Sequence, residues 1–327
     1  MIRTADACRF LCTLLVLFTV AACGGAQTSD DAAPTPEATA SSAPSEAATD
    51  RAPFPVTVEA ANGEVTLDEQ PTSIVSLSPT ATEMLFAIDA GDQVTAVDEF
   101  STHPSEAPTT DLSGYEPNVE AIAGYEPDLV VIADDGADLS TALGELDIPV
   151  IVAPAAQTLD DTYAQIEQLG AATGHEAEAA GLVEQMHDDI DKITGDLPET
   201  DRPLTYYHEL DDTYYSVTSD TFIGQIYELA GLTSIADEVD DDASDGYPQL
   251  SEEFIIDADP GLIFLADTIC CGQTAETVAE RPGWDQIAAV RDGAVVELDD
   301  DVASRWGPRI VDLLRTIGDA VAAHAGS

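Results

Sequence analysis

Cations are almost missing from this chain. Its 327 residues carry 10 Lys and Arg against 64 Asp and Glu, a formal net charge of −54, and the single lysine is Lys192. Recognition of nucleic-acid phosphates or of an anionic lipid surface needs clustered cations, so both classes of partner are excluded. Cysteine is equally sparse. Cys8, Cys12 and Cys23 stand near the N-terminus, and only the adjacent pair Cys270-Cys271 lies further on. A CxxC motif is absent, and two adjacent sulfurs make either a strained vicinal disulfide or a pair of thiols, a poor zinc cage in both forms. The five histidines, His103, His175, His187, His208 and His324, show no H-x-H or H-x-x-x-H ligand spacing, which argues against a bare zinc or manganese site. There is no G-x-S-x-G elbow, no P-loop and no glycine-rich dinucleotide fingerprint, and the carboxylates are scattered. Neither an enzyme nor a resident cofactor or metal is expected.

What is present can still build a core. The hydrophobic share is 44%, an ordinary globular level, so the acidity describes a solvated surface and not a disordered chain. The long apolar run Phe10–Val20 follows Arg3 and Arg9 and ends at small residues, as a signal peptide does, and it is too short to span a membrane. Residues 1–22 are therefore expected to be removed. Val20-Ala21-Ala22-Cys23 resembles a bacterial lipobox, which implies a lipidated Cys23 and an extracytoplasmic protein anchored to the cell membrane. Residues 23–56, rich in Ala, Ser, Thr, Pro and acids, read as a disordered tether.

Beyond the tether, short β-branched runs alternate with helical patterns, the signature of α/β units with parallel sheets. Strands are expected at Ile74–Leu77, Val94–Val97, Leu129–Ala133, Val150–Val152, Thr205–Tyr207, Leu262–Ala266 and Val295–Leu298. Pro79 opens a helix in which Thr80 and Glu83 have capping-box spacing, and Ile310–Ala323 is a terminal helix. The longest helical stretch, Thr158 to about Leu197, is interrupted near Gly170–Gly174. The chain also echoes itself. Asn118-Val119-Glu120-Ala121-Ile122 leads to Glu126-Pro127-Asp128-Leu129 and on to Asp134, while Ser251-Glu252-Glu253-Phe254-Ile255 leads to Asp259-Pro260-Gly261-Leu262 and on to Asp267. Matched positions are 133 apart throughout, which points to a duplicated lobe. The expected organisation is an N-terminal lobe over residues 57–170, a linking helix over 171–198 and a C-terminal lobe over 199–327. Two Rossmann-like α/β lobes joined by one long helix would enclose a cleft at the carboxyl ends of their strands.

Residues 72–323 resemble the substrate-binding proteins of ABC importers for cobalamin and iron–siderophore complexes. The resemblance rests on Ile74 to Glu83, on Asn118 to Ile122 with Glu126 to Val130, on Tyr247-Pro248-Gln249-Leu250-Ser251-Glu252-Glu253, and on Arg305-Trp306-Gly307-Pro308-Arg309. It implies a monomer that delivers a metal chelate to a permease driven by an ATPase, with Glu120 and Glu253 docking on permease arginines. It also puts Phe100, Tyr115, Asp134, Glu209, Tyr247, Arg305 and Trp306 on ligand-contacting loops. A bare metal ion as ligand, or a surface receptor without transport, are the alternatives.

Overall fold

The computed structural model describes residues 54–136, 138–198, 204–239 and 244–324. The signal segment, Cys23 and the tether as far as residue 53 lie outside the described residues. Phe54, the first described residue, packs on the core, and strand β1 (Val56–Ala60) opens one residue before the lobe start expected at 57. An antiparallel hairpin of β1 and β2 (Gly63–Leu67), not expected from the sequence, docks on the first lobe. Asn62 at its turn donates to the Val150 carbonyl and accepts from the Val152 amide, so its side chain takes the part of an extra strand residue at the sheet edge.

The first lobe contains β3 (Ile74–Leu77), α1 (Pro79–Ala87), β4 (Val94–Asp98), β5 (Thr109–Leu112), α2 (Val119–Ala123), β6 (Leu129–Ile132), α3 (Leu139–Gly144), β7 (Val150–Val152) and α4 (Leu159–Thr173). Its five strands are parallel in the order β5-β4-β3-β6-β7. The central strands are apolar runs because both faces are covered. Ile74, Leu129, Val131 and Ile151 point to one face, packed with α1 and α4, while Val75, Val130, Ile132 and Val150 point to the other, under Ile122 of α2 and Leu139 and Leu143 of α3.

Helix α5 (Glu176–Gly195) carries the chain out of this lobe. It starts after Gly174, which adopts the left-handed φ of +75° that closes α4, so the linking helix begins five residues later than the expected 171. The second lobe comprises β8 (Leu204–Glu209), α6 (Phe222–Leu229), β9 (Leu232–Ser234), α7 (Glu252–Ala258), β10 (Leu262–Leu265), α8 (Ala275–Ala279), α9 (Ala288–Arg291), β11 (Val295–Glu297), α10 (Asp300–Ser304) and α11 (Ile310–His324). Its sheet is parallel in the order β11-β10-β8-β9. Helix α11 lies against both α5 and α6, so the two lobes share one apolar core. Among the described residues no helix is long and apolar enough to cross a membrane.

The α4–α5 corner depends on Gly170. A Cβ there would fall 2.4 Å from the Ala179 Cβ and 3.1 Å from the His175 carbonyl oxygen. Gly170→Ala is therefore expected to force the two helices apart and cost on the order of 1–3 kcal/mol in urea unfolding. A change below about 0.5 kcal/mol would show that the corner has slack.

Candidate functional site

The C-terminal ends of the first lobe's strands converge on one cavity of about 640 Å³. Leu77 ends β3, Asp98 ends β4, Gly114 and Tyr115 follow β5, and Ala133 and Asp134 follow β6; all six line the space. Open parallel sheets place ligands at this end because the loops there diverge. Gly114 is fixed by close approach, since a Cβ would lie 2.5 Å from the Leu77 carbonyl oxygen and 3.1 Å from Asp98 Oδ2. Its small size brings Tyr115 to the mouth, where Phe100 and Tyr115 meet edge to face at 5.6 Å, both exposed. Such an aromatic wall offers apolar area at little entropic cost.

A second cavity of about 590 Å³ lies beside the first and shares Ser304, Arg305 and Trp306 with it. Its remaining wall is Ala155 to Gln157 from the first lobe, and Asp220 to Ile223 and Asp245 to Tyr247 from the second. The pair therefore forms a cleft with one face on each lobe and the segment 304–306 at its centre.

That segment is held rigidly. Glu83 of α1, almost wholly buried, accepts from Arg305 Nη1 at 2.7 Å, from Arg309 Nε at 2.9 Å and from Arg309 Nη2 at 2.5 Å. The Thr80/Glu83 capping box is thus corrected: Ser78 caps α1 by accepting from the Ala81 amide, and Glu83 is engaged in ion pairs. Trp306 donates from Nε1 to Gln165 of α4, while its carbonyl accepts from Thr162. Arg305 is held on a further side, with Nη2 bonded to Asp301 at 2.7 Å and to the Phe100 carbonyl at 3.0 Å. The carboxylate of Glu83 also holds the Arg309 guanidinium above its ordinary pKa.

Six of the seven expected ligand-contacting residues line the cleft: Phe100, Tyr115 and Asp134 in the first cavity, Tyr247 in the second, and Arg305 and Trp306 in both. Glu209 does not. It ends β8, is wholly buried, and makes a bidentate pair with Arg281 at 2.6 Å to each oxygen. Arg281 in turn lies 4.5 Å from the Trp284 ring centre and 5.5 Å from that of Tyr214. The neighbouring Tyr207 and His208 are buried too, and burial depresses the His208 pKa to about 3. Asp267, the repeat partner of Asp134, is buried beside Glu209, and desolvation with that neighbouring charge raises its pKa to about 7. The same strand end therefore opens into a cavity in one lobe and is sealed in the other.

Asp98 is the residue that sequence reasoning missed. It is 98% buried on the cavity wall, and its Oδ1 has no hydrogen-bond partner among the described residues. Burial raises its pKa, opposed by contacts to Ser101 and Phe100 and by the charge of Arg305. The other singled-out positions are peripheral. Glu120 and Glu253 are exposed in the first turns of α2 and α7, whose N-caps Asn118 and Ser251 accept from Ala121 and Phe254 as their spacing predicts. Cys270 and Cys271 are exposed free thiols; desolvation, Cys271 and Asp300 push Cys270 up to about 12, far from a reactive thiolate. Among the described residues no group of three or more His, Cys, Asp or Glu is placed to hold a metal ion.

Two parallel α/β lobes, a connecting helix and a cleft between them have the form of a protein that holds a ligand between its lobes. The chain belongs to the periplasmic binding protein family, whose model matches residues 74–302. It is therefore an extracytoplasmic solute-binding protein and not an enzyme. Over 278 residues it is 29% identical to an uncharacterised ABC transporter substrate-binding lipoprotein, YvrC, of Bacillus subtilis, covering 82% of this chain and 86% of that one. It is 32% identical to a cobalamin-binding protein of Halobacterium salinarum, covering 82% and 74%. The solved structure of the periplasmic heme-binding protein RhuT from a Roseiflexus species, in apo form, superposes with a TM-score of 0.67 at 21% identity, covering 77% of this chain and 98% of that one.

The Glu83 cluster sets the stability of the cleft. Removing one member of a buried ion group leaves charge uncompensated, at about 3–5 kcal/mol. Glu83→Gln is expected to lower unfolding stability by roughly that amount in guanidinium titration, against less than 1 kcal/mol for the exposed pair partner Asp312→Asn. Equal effects of the two substitutions would remove Glu83 from its central place.

Proposed function

We propose that this protein is the substrate-binding component of an ABC importer, that it captures a bulky metal chelate of the corrinoid type between its lobes, and that it delivers the chelate to the permease. The observation that carries this reading is the double cavity. Each half, near 600 Å³, is already the size that suits a drug-sized ligand, and the two adjoin through Arg305 and Trp306. Exposed aromatic faces at Phe100, Tyr115 and Tyr247 suit a large planar or rim-polar ligand. The Halobacterium relative named for cobalamin supports the corrinoid over other chelates. Lipidation at Cys23 would keep the protein at the membrane surface beside its transporter, and Glu120 and Glu253 would meet arginines of that permease as exposed carboxylates on equivalent helices.

The ligand test uses tryptophan fluorescence. Trp284 is completely buried in the second lobe, so Trp306 is the reporter in the cleft. Cyanocobalamin is expected to quench it with a dissociation constant below about 10 µM, roughly −7 kcal/mol, and Trp306→Phe should abolish most of the quench. No binding by cyanocobalamin or by any ferric siderophore at that level would defeat the chelate reading.

Docking is tested separately. The double variant Glu120→Ala, Glu253→Ala is expected to bind the chelate as the wild type does while losing uptake in cells that carry the cognate permease. Uptake within a factor of two of wild type would remove the docking role.

A further inference from the structure

The cleft has an unbalanced charge. Among the described residues lining the two cavities, Asp98, Asp134, Asp220, Asp245 and Asp301 are acidic and Arg305 alone is basic. Arg305 is already paired with Glu83 and Asp301 and bonded to the Phe100 carbonyl through Nη1 and Nη2, so its charge is engaged within the protein. With Arg309, which shares Glu83, the two arginines and the two carboxylates Glu83 and Asp301 balance, so this cluster carries no net positive charge. Among the described residues on this wall, the one buried side-chain polar atom without a hydrogen bond is an acceptor: Asp98 Oδ1, at the end of β4, although 98% of the residue is buried. A buried carboxylate oxygen left unsatisfied is costly, and a ligand N–H or O–H directed at it would remove that cost.

We propose that this cleft selects chelates with no net negative charge, and that Asp98 is a specificity residue whose free oxygen accepts a hydrogen bond from a donor on the ligand periphery. The inference rests on the chelate reading above and narrows it. Neutral complexes rimmed with amide N–H groups, and cationic ones, satisfy both Asp98 and the surrounding carboxylates. A chelate with peripheral carboxylates or with anionic catecholate oxygens would meet Asp98, Asp134 and Asp301 with only Arg305, already paired with two carboxylates, to balance it. Like-charge juxtaposition of this kind discriminates against the wrong partner.

The test is a titration of the protein at 0.1 M salt with two pairs of compounds whose members differ in charge. One pairs neutral cyanocobalamin with its monocarboxylate, in which one side-chain amide is a carboxylic acid. The other pairs cationic ferrioxamine B with trianionic ferric enterobactin. In whichever series binds, the anionic member is expected to bind at least about tenfold more weakly. Asp98→Asn keeps the shape and removes the charge, and should narrow that ratio at least threefold. Asp319→Asn, at an exposed position of α11 outside both cavities, removes the same unit from the protein's total charge and should leave the ratio unchanged. An anionic member that binds as well as its partner overturns the inference while the chelate reading stands, as does a ratio narrowed equally by both substitutions. Should Asp98→Asn fail to fold, the wild-type ratio and the same comparison with Asp134→Asn decide the matter. Failure of all four compounds to bind brings down the chelate reading and the charge rule with it.

Discussion

One buried carboxylate holds the binding cleft together. Glu83 projects from α1, directly beyond the carboxyl end of β3, and receives three guanidinium hydrogen bonds from Arg305 and Arg309. Those arginines flank Trp306, so a single side chain on the first lobe fixes the central segment shared by both cavities. Paired guanidinium and carboxylate groups are directional as well as strong, and removal of either partner strands a charge away from water. The gain is geometric. Trp306, anchored on Gln165 and Thr162 of α4, cannot swing independently of the first lobe, and the cavity walls on both sides take their positions from it.

The second lobe shows the same device in another place. Glu209, at the end of β8, is locked to Arg281, which lies over Trp284 and Tyr214. This seals the strand ends of that lobe and leaves Asp267 buried with a pKa near 7, whereas its repeat partner Asp134 faces the cleft. The two copies of one helix–turn–strand unit therefore share backbone and caps but differ in what surrounds their final acid. A chain with 10 basic residues in total has committed three of them, Arg281, Arg305 and Arg309, to these two buried clusters.

Much of the architecture was legible in the sequence because parallel strands buried on both faces are written as unbroken apolar runs. Ile74-Val75-Ser76-Leu77 and Leu262 to Leu265 are wholly buried strands for that reason. The strands that escaped notice, β1, β2, β5 and the three-residue β9 (Leu232–Ser234), are those without such a run. Thr109-Thr110-Asp111-Leu112 is a sheet-edge strand with one buried residue, and the β1–β2 hairpin shows only a partial alternation toward the core. In the site, aromatic and cationic residues stood out against the composition, so Phe100, Tyr115, Tyr247, Arg305 and Trp306 could be picked. Asp98 could not, since one acid at the end of Val94-Thr95-Ala96-Val97-Asp98 looks like any other of the 64. Glu209 was misjudged for the complementary reason: a strand end in one lobe is a cleft position, but its partner Arg281 lies 72 residues away and no local pattern announces the pair.

The acidity of the chain acquires a local meaning from this geometry. Spread over the surface, carboxylates govern solubility and long-range repulsion, and salt screens them beyond about 10 Å. Within the cleft the screening is weaker, the distances are short, and the arginine that could have balanced them is held by Glu83 and Asp301. The clamp that gives the cavity its shape therefore also decides its electrostatic character, because every guanidinium hydrogen bond spent on rigidity is one no longer offered to an anionic ligand. A protein with cations to spare could separate those two tasks. With this composition they fall to the same few side chains, so shape and charge preference in the cleft have to change together.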